Sequence, residues 1–110
     1  MNSRISIQSL KKFPIFETLS DKDLSNLLQV THLRSIKQNE AIFIEGQAAS
    51  MLYFVLEGWF KADKLAPDGR QHTLRFVGPG EIINELAVFS NEPNEVSVIA
   101  KENAQVFGIL

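Results

Sequence analysis

The grouping in this sequence that is spaced for binding chemistry runs from Gly78 to Val96. Gly78-Pro79-Gly80 turns the chain, Ile82-Ile83 makes a short apolar strand, and Asn84-Glu85 opens a helical turn through Leu86, Ala87, Val88 and Phe89. A polar loop then returns through Asn94 and Glu95 to Val96. A helix start leaves backbone N–H groups without carbonyl partners, so such a turn is a ready anion site. Glu85 has a plainer use as well, as an acidic charge that favours the positive end of a helix.

Other chemistries are poorly supplied. With no cysteine there is no disulfide, no thiolate metal site and no cysteine-held iron–sulfur cluster. The two histidines, His32 and His72, stand forty positions apart with no paired motif, which argues against a metal-dependent jelly-roll enzyme. No serine lies in a nucleophile-elbow pattern. No catalytic or metal-ligating residue is assigned, and the chain reads as non-enzymatic.

The length of 110 residues and a hydrophobic content of 45% suit one folded domain with a real core. A formal charge of −2 gives no electrostatic footprint for nucleic acid. Arg4, Lys11 and Lys12 form a small basic cluster that reads as a solvated helix face. No apolar run reaches membrane-spanning length and Met1-Asn2-Ser3-Arg4 does not begin a secretory signal, so no membrane contact and a cytoplasmic location are expected.

Turns and periodicity place the elements around that grouping. Ile5, Ile7 and Leu10 suggest a short helix over residues 3–10, stopped before Pro14. Ser20-Asp21-Lys22-Asp23 is a strong helix start, with Ser20 as cap and Leu19 and Leu24 at staple positions, predicting a helix over 20–30. Strands are expected over 33–37, 41–44, 51–56, 59–65, 73–77, 96–100 and 105–110. Pro67-Asp68-Gly69 marks a hairpin. Tyr53, Phe54 and Trp59 read as core and rim packing. Many short strands between turns predict a mainly β fold with short flanking helices, of the jelly-roll type. The whole chain is expected to be one domain, with residues 1–30 as helical entry and 31–110 as a β-roll. The last strand ends the sequence uncovered, so Leu110 reads as a truncation point of a longer polypeptide.

The order of these elements carries a resemblance. Leu10-Lys11-Lys12-Phe13-Pro14-Ile15-Phe16, Ala41-Ile42-Phe43-Ile44-Glu45-Gly46-Gln47, Leu52-Tyr53-Phe54-Val55-Leu56-Glu57-Gly58, Pro67-Asp68-Gly69-Arg70 and Glu85-Leu86-Ala87 resemble the N-terminal sensor domain of Crp/Fnr-type transcriptional regulators. That resemblance implies a cyclic-nucleotide-binding-like β-roll (a double-stranded β-helix). It also implies a homodimer in the full-length protein, with DNA contacted only through a C-terminal domain absent from this sequence.

It further implies a ligand pocket formed by Ile83, Asn84, Glu85, Leu86, Ala87, Asn94, Glu95 and Val96. Glu85 holds the family's ribose-binding position, with Leu86 and Ala87 beside it. Asn84 stands where the family has glycine, Asn94 where it has the phosphate-binding arginine, and Glu95 where it has a small residue. Two like charges at ~4 Å and an effective dielectric of ~20 repel by on the order of 4 kcal/mol, and about 1.4 kcal/mol is already tenfold in affinity. Tight binding of cAMP or cGMP is therefore disfavoured, and the cofactor and small-molecule effector stay unassigned.

Arg75 replaces the missing cation if its strand face points into the roll; the simpler reading of Leu74-Arg75-Phe76 makes it a solvent-facing residue. A haem ligand is disfavoured because the cassette has no histidine, though another axial ligand stays open. Phe89 is the candidate for passing a signal onward. The leading function is an effector-sensing domain with a degenerate nucleotide pocket. The alternative is a stand-alone regulatory or protein-interaction module of the same fold.

Overall fold

Alternating side chains build two four-stranded antiparallel sheets. The computed structural model describes residues 6–109; Arg4, the first residues of the helix expected over 3–10, and the terminal Leu110 lie outside the described residues. Helix α1 (Ile7–Leu10), a 3₁₀ turn (Pro14–Phe16) and α2 (Asp21–Leu28) come first. Strands β1 (Thr31–Ile36), β2 (Ala41–Phe43), β3 (Leu52–Glu57), β4 (Phe60–Leu65), β5 (Gln71–Val77) and β6 (Ile82–Ile83) follow. Helix α3 (Glu85–Phe89), β7 (Ser97–Ala100) and β8 (Ala104–Ile109) complete the roll. One sheet runs β1-β8-β3-β6 and the other β2-β7-β4-β5. This is the mainly β jelly roll with short helices that the turn spacing predicts.

The ends of the elements differ from expectation for local reasons. Ser20 caps α2 by accepting the Asp23 N–H at 3.1 Å. The helix stops at Leu28, before Val30, where the Thr31 hydroxyl donates to the Leu28 carbonyl at 2.9 Å and the chain enters β1. Leu24 is fully buried while Leu19 stays exposed, so the expected staple buries one partner only. Strand β2 ends at Phe43, and Ile44, expected in the buried strand, is exposed.

Period-2 alternation in β3 and β8 decides what each sheet face meets. Val55 and Val106 point between the sheets, where they pack with Phe60, Val77 and Val98. Phe54 and Phe107 point the other way and are covered by Leu10, Phe13, Phe16 and Leu24 of the helical entry. The Phe54 and Phe107 rings stack at 4.7 Å with 3° between their planes. Phe13 stands edge-on to both, at 5.2 and 5.5 Å. Tyr53 and Phe54 are core residues, whereas Trp59 is a half-exposed rim residue lying over Gly78. A Cβ on Gly78 would sit 2.5 Å from the indole, so any larger residue there would push the Trp59 ring aside.

The loop after α3, here called the return arm, is tied down by groups from distant parts of the chain. Asn94 donates its N–H to the Gln47 carbonyl at 2.8 Å and accepts the Gly46 N–H at 2.9 Å. Its Nδ2 donates to the Ile44 carbonyl at 3.1 Å. Lys64 Nζ bridges the Glu95 carbonyl at 3.0 Å and Glu45 Oε2 at 3.1 Å. Glu45 Oε1 accepts the Leu65 N–H at 2.9 Å. That backbone bond, and then the Lys64 ammonium, hold the Glu45 carboxyl below the ordinary value of 4.5.

Two outcomes follow. Phe54→Ala should remove about 3–5 kcal/mol of stability in urea unfolding, because it empties a ring-sized site in a packed cluster. A carboxyl depressed in the folded state adds stability that is complete above its unfolded value and is lost as pH falls through the folded one. Glu45→Gln should therefore be less stable than wild type at neutral pH, and the gap should close in acid. A gap that stays constant with pH would remove the carboxylate from this role.

Candidate functional site

Strand β6 and helix α3 set the floor of a cavity of about 380 Å³. Strand β6 is held against β3 through the pairs Tyr53↔Ile83 and Phe54↔Ile82. The chain must then turn sharply, and Asn84 does so in the left-handed region at φ 79°. Asparagine adopts that conformation more readily than other residues with a Cβ. Its Nδ2 folds back to donate to the Met51 carbonyl at 3.3 Å, which fixes the turn to the start of β3. The first helical bond of α3 runs from Val88 N–H to the Asn84 carbonyl. The N–H groups of Glu85, Leu86 and Ala87 thus have no carbonyl ahead of them in the helix.

Ile83, Asn84, Glu85, Leu86 and Ala87 border the cavity from below, and Glu95 and Val96 close it from the return arm. Asn94 is absent from that lining. It is 4% exposed, bonded to Ile44, and its Oδ1 has no hydrogen-bond partner. Asn94, expected from the resemblance to stand in place of a phosphate-binding cation, is therefore a structural stitch within the return arm. Glu85 and Glu95 are exposed at the cavity mouth, and no salt bridge among the described residues reaches either carboxylate.

Arg75 borders the cavity, but its guanidinium donates to Glu81 Oε1 at 3.0 Å. The other Glu81 oxygen accepts the Gly78 N–H at 2.7 Å, which holds the carboxylate in place for Arg75. More than half of the Arg75 side-chain surface is exposed, at 56%. The strict alternation read from Leu74-Arg75-Phe76 fails because of a β-bulge. Ala62 pairs with Arg75 and Asp63 with Thr73, leaving Leu74 as the extra residue. Bulges re-aim side chains beside binding sites. Here both Leu74 and Arg75 come to line the cavity. Phe76 faces the opposite side under the Lys101 ammonium, 4.1 Å from the ring centroid.

The remaining walls are apolar: Phe43, Ala62, Val77 and Ile82. Ile82 belongs to the grouping that begins at Gly78, whereas Phe43, Ala62 and Val77 were not singled out in the sequence. Inward alternation could have found Phe43 and Val77, while the bulge that brings in Leu74 leaves no local signal. His32 and His72 are exposed and border no part of the cavity, and no group of metal-ligating side chains occurs among the described residues. Lys11, from the basic cluster, pairs with Asp21 at 3.1 Å. No described helix is long and apolar enough to cross a membrane.

Comparison with known proteins agrees with this geometry. The sequence profile of the cyclic nucleotide-binding domain matches residues 33–109. The cyclic AMP receptor protein of Thermus thermophilus is 25% identical over 100 residues, covering 91% of this chain and 46% of that protein. The crystal structure of the N-terminal domain of a transcriptional regulator from Streptomyces coelicolor superposes with a TM-score of 0.81 at 30% identity, covering 92% of this chain and 72% of that one. The regulatory domain of Toxoplasma gondii PKA, crystallised with cAMP, gives 0.82 at 26% identity, with coverage of 94% and 39%. The chain spans about half the length, or less, of the curated relatives it matches. A jelly roll whose cavity is floored by a left-handed turn and a one-turn helix, matched by that profile over most of its length, belongs to the cyclic nucleotide-binding domain family, and its relatives include Crp-type regulators.

Proposed function

We propose that the chain is the effector-sensing domain of a Crp/Fnr-like transcriptional regulator whose cavity takes a ligand other than a cyclic nucleotide. One observation carries this reading. Among the described residues the lining's cation, Arg75, is already paired with Glu81, and Asn94 is turned away to the Ile44 carbonyl. Glu85 and Glu95 meanwhile present carboxylates at the cavity mouth. A cyclic phosphate entering there would face like charge without the bidentate cation that normally offsets its desolvation. The relatives named for cAMP support the architecture of the site, and the departures at Asn84, Asn94 and Glu95 support a different ligand in it.

Within the full-length protein this domain acts in the cytoplasm as part of a homodimer, and DNA is contacted by a segment outside this sequence. Leu86 and Phe89 lie one helical turn apart on α3 and are 63% and 75% exposed, so the helix that floors the cavity also carries an uncovered apolar edge. That edge is the output surface: a ligand that shifts α3 moves Phe89 with it. The domain itself carries out no chemical step.

Calorimetric titration tests the ligand assignment. No heat of binding is expected with cAMP or cGMP at micromolar concentration, and micromolar binding of either would overturn the reading. Glu95→Ala should raise any residual cAMP affinity by up to about tenfold, since it removes one like charge that water partly screens. In the full-length protein, Phe89→Ala should leave ligand affinity unchanged while blunting the regulatory response. An unaltered response would remove Phe89 from signal output.

A further inference from the structure

We infer that the cavity selects an organic cation, a primary ammonium carried on an apolar body, with Glu85 and Glu95 receiving the head group. The inference rests on the reading that this cavity is an effector site that does not take cyclic nucleotides, and it names the class of ligand.

The ionisable residues of the lining are Arg75, Glu85 and Glu95. Arg75 is ion-paired with Glu81, which is itself anchored by the Gly78 N–H, so the unpaired charges of the lining are the two carboxylates. The Lys64 ammonium on the return arm is directed elsewhere, to the Glu45 carboxylate and the Glu95 carbonyl. The protein therefore supplies no cation to either glutamate among the described residues.

The walls behind the carboxylates are apolar, with Phe43, Ala62, Leu74 and Val77 prominent. A cavity of about 380 Å³ falls in the range of small-molecule sites, which pair apolar walls with a few placed polar groups. An inorganic cation would satisfy the carboxylates and leave the walls wet. An uncharged ligand would fill the walls and leave the carboxylates to water. An ammonium, with three N–H donors and no acceptor, matches two acceptor-only carboxylates, and its apolar substituent matches the walls.

The two glutamates also sit on different elements. Glu85 opens α3, and Glu95 lies on the return arm that Lys64 and Asn94 hold in place. A cation bound between them would pull α3 toward a fixed partner, which couples occupancy to the helix that carries Phe89.

A charge series of one shape tests this. Binding of phenethylammonium, phenethyl alcohol and hydrocinnamate is measured by NMR titration on this domain, with cAMP titrated in parallel. The ammonium is expected to bind about tenfold or more tighter than the alcohol, and hydrocinnamate not at all. Added salt should weaken the ammonium alone. Glu85→Gln and Glu95→Gln should each reduce the preference, and the double variant should abolish it while still binding the alcohol, which keeps a loss of charge distinct from a loss of fold. An ammonium that binds no better than the alcohol, including no binding by either, would overturn the inference, as would a preference that survives in the double variant. Micromolar cAMP binding would instead overturn the underlying reading of the cavity.

Discussion

The stacked rings of Phe54 and Phe107 are the contact on which the rest of this molecule depends. Both strands have one face turned toward the other sheet, so their opposite faces must be sheltered as well. The helical entry exists as a packed element because those rings give Phe13 and Phe16 something to bury against. Strand β3, fixed on this side by Phe54, in turn carries β6 along its edge. The Met51 carbonyl at its start grips Asn84. The floor of the cavity thus hangs from a strand whose position is set by aromatic packing on the far side of the sheet.

Much of this was legible in the sequence, because turns and capping act over a few residues. Ser20 with Asp21 and Asp23, Pro67-Asp68-Gly69 and the run of short apolar strands each carry their own signal, and together they fix the order of the roll. The run from Ile83 to Ala87 was legible for the same reason, since it is one continuous turn and helix. What escaped was set by distance or by register. Leu74 faces the cavity because of one unpaired residue in β5, and a bulge leaves no composition behind it. Lys64 meets Glu45 from 19 positions away and Glu95 from 31, separations across which no local pattern speaks.

Asn94 shows how position and role separate. The resemblance puts it among the pocket residues, yet its amide turns toward the Ile44 carbonyl and leaves the cavity wall to Glu95 and Val96. Its neighbour Glu95 takes part twice, through a carbonyl that receives Lys64 and a carboxylate that faces the cavity mouth. The return arm is in this way closed by the protein's own bonds. Preorganisation of this kind leaves less conformational entropy to be lost on binding.

The same stitch makes position 94 costly to alter. An arginine appearing at position 94 would first have to abandon a buried bond to Ile44 and force its longer side chain out of a site that is 4% exposed. Removal of a partner from a buried polar group carries a penalty of about 1–3 kcal/mol before any new contact is gained. A single substitution to arginine at position 94 is thus unfavourable at its first step, whatever contact it could later make in the cavity.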